Sequence, residues 1–471
     1  MKILILGSGE VGSTIAKNLV SQSGKNSVTV IDIDDNSLNA LSDTLDVQTM
    51  LGNASSPSVL AEAGAADTDL MLALTRNDDT NLIACVLGKQ IFNIPNRIAR
   101  IRYSDITEYS IENNAEAEKP QTALSIFDVN NYICPEQLVT DQIIELFRYN
   151  NALQVLNFVN GTVQMVVTRA NKDSIAVGKK LGELKNDFTE LMNRCNIFAI
   201  YRNDSLIIPT EQTKIIHGDE ICFIALKKDI PEVLKLFHPE FQAATRVIIA
   251  GGGNIGYRLA QKAEKEFSVK IIEVNKRRSE WLSENLSSTL VLLGSSTDEK
   301  LLEQERIGET DVFCALTNDD EDNIMSGLLA KNYGAKRVIS IVNRSSYVDL
   351  LQGNTIDIVI SPHLTTIGSI LAHIRKGDII SVYPLRRGEA EIIEAVIHGT
   401  RKTSKIVGRP FSQVKWPHGC DVAAVIRENN FVNINQETTL QENDHVIFFV
   451  SRRKVVHELE KILQVKLGFF I

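Results

Sequence analysis

The chain has 471 residues, 44% of them hydrophobic and 23% charged, and a formal net charge of −9. This is globular composition with room for about three domains of roughly 150 residues, and it excludes a disordered or fibrous chain. The acidic balance argues against a general nucleic-acid or anionic-membrane binder, and no apolar run approaches the roughly 20 residues of a membrane-spanning helix.

The first element is a strand over Lys2–Leu6. Its apolar run stops at Gly7-Ser8-Gly9, too short for a secretory leader. Gly7, Gly9 and Gly12 then make a G-x-G-x-x-G between this strand and a helix over Gly12–Ser21. The first glycine allows the tight turn, the second lets backbone approach a pyrophosphate, and the third lets helix and strand pack closely. The phosphates then face free amides at the positive end of the helix. A strand over Val28–Ile31 ends on Asp32, 20 residues past Gly12, where a carboxylate can grip a ribose diol. Its competing role is capping the next helix, which Asp34 serves at least as well.

A helix over Asn36–Leu45 and strands over Val47–Met50 and Leu70–Leu74 follow, then a helix over Thr80–Ile91 and a strand over Arg97–Ile101. Strands separated by crossover helices make a parallel, doubly wound sheet, which binds ligands at its carboxyl edge. Thr75-Arg76-Asn77-Asp78 lies on that edge, and its side chains suit pocket lining and helix capping equally. Arg100 is a cation among apolar strand residues, so it wants a partner, either a ligand phosphate or an acidic side chain. Pro135, in YICPEQL, opens a helix that leads out of this lobe into a smaller, strand-rich region over about 140–235.

The pattern then repeats. Gly251, Gly253 and Gly256 match the first glycines at an offset of 244, and Glu273 closes the following strand 17 residues on. Ala315-Leu316-Thr317 matches Ala73-Leu74-Thr75, Asn323 matches Asn81, and Pro362 in IVISPHL matches Pro135. Strands are expected over Val247–Ile249, Val269–Ile272, Leu290–Leu293, Val312–Leu316 and Val338–Val342, followed by a second small lobe over about 370–465. Ser340 replaces Arg100, so the halves can differ in what they bind. The acid favours NAD(H) over a ribose 2′-phosphate. Lys276-Arg277-Arg278 blunts that preference in the second half, although such a run usually reads as a solvated helix face. The expected fold is therefore α/β, with two tandem Rossmann-like lobes, each followed by a small α+β lobe. The boundaries fall at 1–136, 137–240, 241–363 and 364–471.

Catalytic groups are hard to find. All eight histidines lie at or beyond His217, scattered singly, and the six cysteines show no metal-like or redox spacing, which suits reduced, buried thiols. Nucleotide loops without a proton relay suggest a ligand sensor. The competing class is an NAD-dependent oxidoreductase with a duplicated cofactor domain.

The stretches MKILILGSGEVGSTIAKNL, NRIARIR, CPEQLV, NALQVLNF, GGGNIG, NIMSGLLAKNYGAKRV, YVDLLQG, IDIVISP and AVIHGT run in order through nearly the whole chain. They resemble the tandem KTN/RCK family of Trk-system potassium-uptake regulators. That resemblance implies a non-enzymatic subunit on the cytoplasmic face of the inner membrane, in a homo-oligomeric ring of four chains, gating a TrkH- or TrkG-like potassium-translocating subunit. It implies NAD(H), with ATP or ADP as alternative or additional ligands. Carried onto this chain, the binding residues are Gly7, Ser8, Gly9, Glu10, Val11, Gly12, Asp32, Thr75, Arg76 and Arg100. In the second half they are Gly251, Gly252, Gly253, Asn254, Ile255, Gly256, Glu273 and Thr317. One departure concerns the base: related lobes often carry Gly-Asp after the third strand, where this chain has Gly52-Asn53 and Gly294-Ser295. Asn53 can still hydrogen-bond an adenine edge, whereas Ser295 reaches less far.

Overall fold

The computed structural model describes residues 1–21, 26–103, 106–107, 122–351, 356–375, 378–385, 390–452 and 455–465. Gln352 and Gly353 of the YVDLLQG stretch lie outside them. The chain divides into two compact units, Met1–Pro135 with His363–Ile374, and Glu136–Pro362 with Arg375–Ile471.

The first unit holds a six-stranded parallel sheet of β1 (Lys2–Leu6), β2 (Ser27–Asp32), β3 (Gln48–Leu51), β4 (Leu70–Ala73), β5 (Asn96–Arg100) and β6 (Asn131–Ile133), in the order β3-β2-β1-β4-β5-β6. Leu4, Ile5 and Leu6 are fully buried, as a central strand covered on both faces requires. The order reverses beside β1, which opens a crevice at the carboxyl ends of β1 and β4. Five strands of this sheet match expectation. The sixth, β6, was not expected: three residues before Pro135 are too few to show a period.

The second unit contains the other three lobes. β7 (Ala152–Phe158), β8 (Val163–Arg169), β9 (Cys195–Arg202), β10 (Ser205–Ile207) and β11 (Glu220–Leu226) form an antiparallel sheet ordered β10-β9-β11-β8-β7. A second parallel sheet follows, made of β12 (Arg246–Ala250), β13 (Ser268–Glu273), β14 (Leu290–Leu293), β15 (Val312–Ala315), β16 (Arg337–Ile341) and β17 (Ile358–Ile360). Its order, β14-β13-β12-β15-β16-β17, repeats the first, and again the short sixth strand was not foreseen. β18 (Ile379–Leu385), β19 (Ala390–Val396), β20 (Cys420–Arg427), β21 (Asn430–Phe431) and β22 (His445–Val450) close the chain as another antiparallel sheet.

Two cores bind this unit. The antiparallel sheets share an apolar layer in which Phe198 meets Phe449 at 5.4 Å between ring centroids. Polar bonds edge that layer: Tyr383 donates its hydroxyl to the Asn157 carbonyl at 3.1 Å, and the Val159 amide donates to the buried Glu394 carboxylate at 3.1 Å. The second core joins the helix Pro135–Arg148 and the first antiparallel lobe to the second parallel sheet.

Both exit helices begin at their prolines, Pro135–Arg148 and Pro362–Ile374. Each then joins the glycine-loop lobe of the other half. Along the helix Asn254–Ala263, Arg258 donates to Gln137 at 3.2 Å and Lys262 pairs with Asp141 at 2.6 Å. Beyond it Arg148 pairs with Glu266 at 2.5 Å, while Phe147 and Phe267 meet edge to face at 5.5 Å. His363–Ile374 belongs to the first unit, where His363 Nδ1 contacts the Glu10 carboxylate. No described helix is long and apolar enough to cross a membrane.

Candidate functional site

Backbone sterics explain the glycines in both loops. Gly7 has φ +107° and Gly251 φ +106°, a conformation that side-chain-bearing residues rarely adopt. A Cβ on Gly12 would lie 1.9 Å from the Gly7 carbonyl oxygen, and one on Gly256 would lie 1.9 Å from that of Gly251. A Cβ on Gly9 or Gly253, by contrast, meets nothing within 4 Å. These second glycines leave open space beside the first turns of the helices Glu10–Ser21 and Asn254–Ala263. The residues therefore fit a pyrophosphate held by backbone amides at both places.

The neighbouring predicted residues separate by what they touch. Glu10 and Asn254 are exposed at the first position of each helix. Val11 is buried, and Ile255 packs against the core of the second unit, so only their backbones can serve a ligand.

The two acids use different chemistry to reach the same loop. Asp32 accepts the Ser8 amide at 2.5 Å, the Ser8 hydroxyl at 2.8 Å and the Asp34 amide at 3.0 Å. Burial works to raise the Asp32 carboxyl, but the Ser8, Asp34 and Ile33 hydrogen bonds outweigh it and hold it below its ordinary value. Asp34 caps the next helix by accepting from the Asn36 amide, leaving Asp32 to the loop. In the second half Glu273 is buried, 9% exposed, and its oxygens accept the Gly252 amide at 2.8 Å and the Asn275 amide at 2.7 Å. Arg278 donates Nε to the Gly252 carbonyl at 2.7 Å, and its guanidinium lies 4.1 Å from the Trp281 ring centroid. Sequence reasoning passed over this arginine, because a basic run reads as a solvated face. Lys276 and Arg277 are indeed exposed; Arg278 is half-buried.

The loops after β4 and β15 are held by buried asparagines. The Asn81 oxygen accepts the Thr75 amide at 3.0 Å and hydroxyl at 2.7 Å, while its nitrogen donates to the carbonyls of Thr75 at 3.2 Å and Arg100 at 2.9 Å. Asn323 repeats this with Thr317 and Ile341. The repeat at positions 81 and 323 was visible in the sequence, although the pinning role was not. Both Asn77 and Asp319 cap the helices that follow. Thr75 and Thr317 thus sit fixed at the crevice edge with hydroxyls turned into the loop, and Arg76 is exposed. Arg100 ends β5, half-buried, where Ser340 is wholly buried in β16. Asn53 is exposed, and its side-chain oxygen accepts from the Ser55 amide and hydroxyl at 2.9 and 2.8 Å.

The six cysteines are buried thiols, and burial pushes those of Cys85, Cys195 and Cys420 up to about 12, away from nucleophilic chemistry. Among the described residues no group of three or more His, Cys, Asp or Glu could hold a metal ion.

Comparison with known proteins agrees with this architecture. TrkA-N domain models match residues 3–117 and 247–362, and TrkA-C domain models match 165–238 and 401–464. The chain is 43% identical to the Trk system potassium uptake protein TrkA of Halomonas elongata, with 100% of both chains covered. It is 41% identical to that of Vibrio alginolyticus, covering 98% of this chain and 99% of the relative. With the TrkA of Haemophilus influenzae it shares 40% identity over 100% of both. In structure it is similar to the GsuK RCK domain, with a TM-score of 0.60 and 17% identity over 98% of this chain and 94% of that one. The GsuK channel bound to NAD gives a TM-score of 0.59 at 17% identity, covering 98% of this chain and 78% of that chain. The relatives are potassium-uptake proteins rather than enzymes, which removes the oxidoreductase reading. With two TrkA-N lobes, two TrkA-C lobes and full-length relatives above 40% identity, the chain belongs to the TrkA family of Trk-system potassium-uptake proteins.

Proposed function

We infer that this chain is the nucleotide-responsive regulatory subunit of a Trk-type potassium-uptake system. Each half binds an adenine nucleotide, NAD(H) or else ATP or ADP, and the bound state is passed to a TrkH- or TrkG-like membrane subunit. The observation that carries this reading is the duplicated loop, in which Gly9 and Gly253 each keep open room beside a helix start. The nucleotide supplies negative charge there, and the chain supplies everything else. Gly7 to Gly12 and Gly251 to Gly256 present backbone amides. Asp32 and Glu273 offer carboxylates to the ribose, Thr75 and Thr317 line the edge with Arg76 and Arg100, and Asn53 serves the base. Exposed Ile33 and Leu51 in one half, and Val274 and Leu293 in the other, flank each acid with apolar surface suited to that base.

The exit helices supply the coupling. The ladder from Gln137–Arg258 to Arg148–Glu266 ties one loop helix and its following turn to an exit helix, and the Glu10–His363 contact does the same for the other. A shift of a loop helix therefore reaches the segment leading into a small lobe. In a ring of four chains docked on the cytoplasmic face of the inner membrane, eight sites share the work. Moving an equilibrium from 1:99 to 99:1 takes about 5.5 kcal/mol of differential binding, so each site needs less than about 1 kcal/mol.

Calorimetry of the full chain with NADH, NAD, ATP and ADP tests the reading, with close to two nucleotides per chain expected. Asp32→Ala and Glu273→Ala should each weaken binding in its own half by tenfold or more. Unchanged affinity in both variants overturns the site assignment. Co-purification of the chain with its membrane subunit should respond to the same ligands.

A further inference from the structure

The two halves place opposite charge at matching positions beside the acid. The first half reads Asp35-Asn36-Ser37 where the second reads Lys276-Arg277-Arg278, a change from −1 to +3. Cations in the first turn of a helix oppose its dipole, so they do not serve the helix Lys276–Asn285. Ser13 and Ala40 of the first half are replaced by Tyr257 and Trp281, which meet edge to face at 4.8 Å. Arg278 lies over both rings, 4.1 Å from the Trp281 centroid and 5.7 Å from that of Tyr257. This platform holds a guanidinium on the glycine loop itself, at the Gly252 carbonyl. Glu273 meanwhile turns both oxygens onto backbone amides and is buried, whereas Asp32 stays half-exposed. The ribose end of the second crevice thus sets a guanidinium beside its acid, where the first has Ser37.

We propose that Arg278 is a specificity residue of the second site, selecting an adenine nucleotide that carries an additional phosphate group, one that NADH and AMP lack. The proposal rests on the nucleotide reading of that loop. A guanidinium matches a phosphate with paired N–H donors in one plane. The phosphate can belong to the ribose, as in NADPH, or to the end of a polyphosphate, as in ATP.

The test is calorimetry on the full chain carrying Gly9→Asp, which closes the first loop with a carboxylate and leaves the second. NADPH, NADH, ATP and AMP are titrated in turn. At least tenfold preference is expected for NADPH over NADH, or for ATP over AMP, and whichever ratio is large names the source of the phosphate. Adding Arg278→Ala should bring that ratio to within about twofold, and Arg278→Lys should keep part of it. Arg278→Gln, which preserves a long polar side chain on Trp281, should lose it as the alanine does, guarding against a folding artefact. Nucleotides that bind with no preference, or with one that survives both Arg278→Ala and Arg278→Gln, overturn the role of Arg278 alone. If none of the four binds the Gly9→Asp chain, the nucleotide reading of the second half falls, and this proposal with it.

Discussion

Ser8 of the first loop carries a hydroxyl that Asp32 takes at 2.8 Å, whereas the matching Gly252 carries no side chain and faces the longer Glu273. A Cβ on Gly252 would lie 2.8 Å from the Glu273 carboxylate and 2.3 Å from a Leu282 methyl. Serine with aspartate, and glycine with glutamate, are two ways to deliver one carboxylate to one loop amide. The turn, the close helix and the open phosphate seat are the same in both halves, because each follows from backbone contact distances that leave no choice. What differs lies on the ligand side, at Ser37 against Arg278 and at Arg100 against Ser340. One copy of the fold can therefore keep its scaffold while its binding chemistry changes.

Substitutions in the shared scaffold carry the largest expected effect, and they should hurt both halves alike. Gly12→Ala and Gly256→Ala each set a methyl 1.9 Å from a backbone carbonyl that cannot rotate away. Overpacking of this kind costs about 1–3 kcal/mol, and the upper end applies when backbone has to move. Urea unfolding followed by tryptophan fluorescence and far-UV dichroism measures the loss. A cost below about 1 kcal/mol in either variant would show that the loop yields and that the third glycine is not sterically required.

Gly252→Ser sharpens the comparison, because the same residue is native at position 8. Alone it should destabilise the second unit by about 2 kcal/mol through overpacking. Combined with Glu273→Asp, which recreates the first-half pair, it should recover about half of that, leaving the contact with Leu282. A double-mutant cycle reads the coupling, and residues in contact typically show 0.5–3 kcal/mol. Strict additivity would mean that the two halves do not solve one packing problem.

Much of this was legible in the sequence, for identifiable reasons. Strong periodic signals gave the alternating strands and helices. The glycine spacing, Asp32, Glu273 and the repeat gave two crevices, because local backbone geometry dictates them. Three things were not legible. β6 and β17 are three residues long, too short for any pattern. The exit helices join lobes far away in sequence, and Gln137–Arg258 spans 121 residues. Arg278 differs from Lys276 and Arg277 only through Tyr257 and Trp281, a platform assembled by the fold.

The smallest expected effect is acid sensitivity at a histidine of the first small lobe that has no counterpart at the matching position. His238 closes the helix Ile230–Phe237, and Gln464 holds the matching place after Val456–Leu463. The Asn171 side-chain nitrogen lies 3.1 Å from Nδ1 and the Thr168 hydroxyl 2.7 Å from Nε2. Thr168 in turn donates its hydroxyl to the Asn151 carbonyl at 3.0 Å, so Nε2 carries the hydrogen and the ring is neutral. Burial, and after it the nearby Arg337 cation, together lower the His238 pKa to about 4. Arg337 is itself committed to the carbonyls of Asn150 and Ala152. Between pH 6.5 and 4 the unfolded chain therefore binds a proton at this position that the folded chain refuses. Stability contributed here is complete above the unfolded pKa and falls as the pH drops through that window. His238→Gln should flatten this acid limb in thermal-melt profiles while leaving the melting temperature at pH 8 within a few degrees of the parent. An acid limb of equal slope in parent and variant would place the sensitivity elsewhere, first at His373, whose pKa burial lowers in the same direction, because Gln464 and Ala395 stand in place of His238 and Thr168 in the second half.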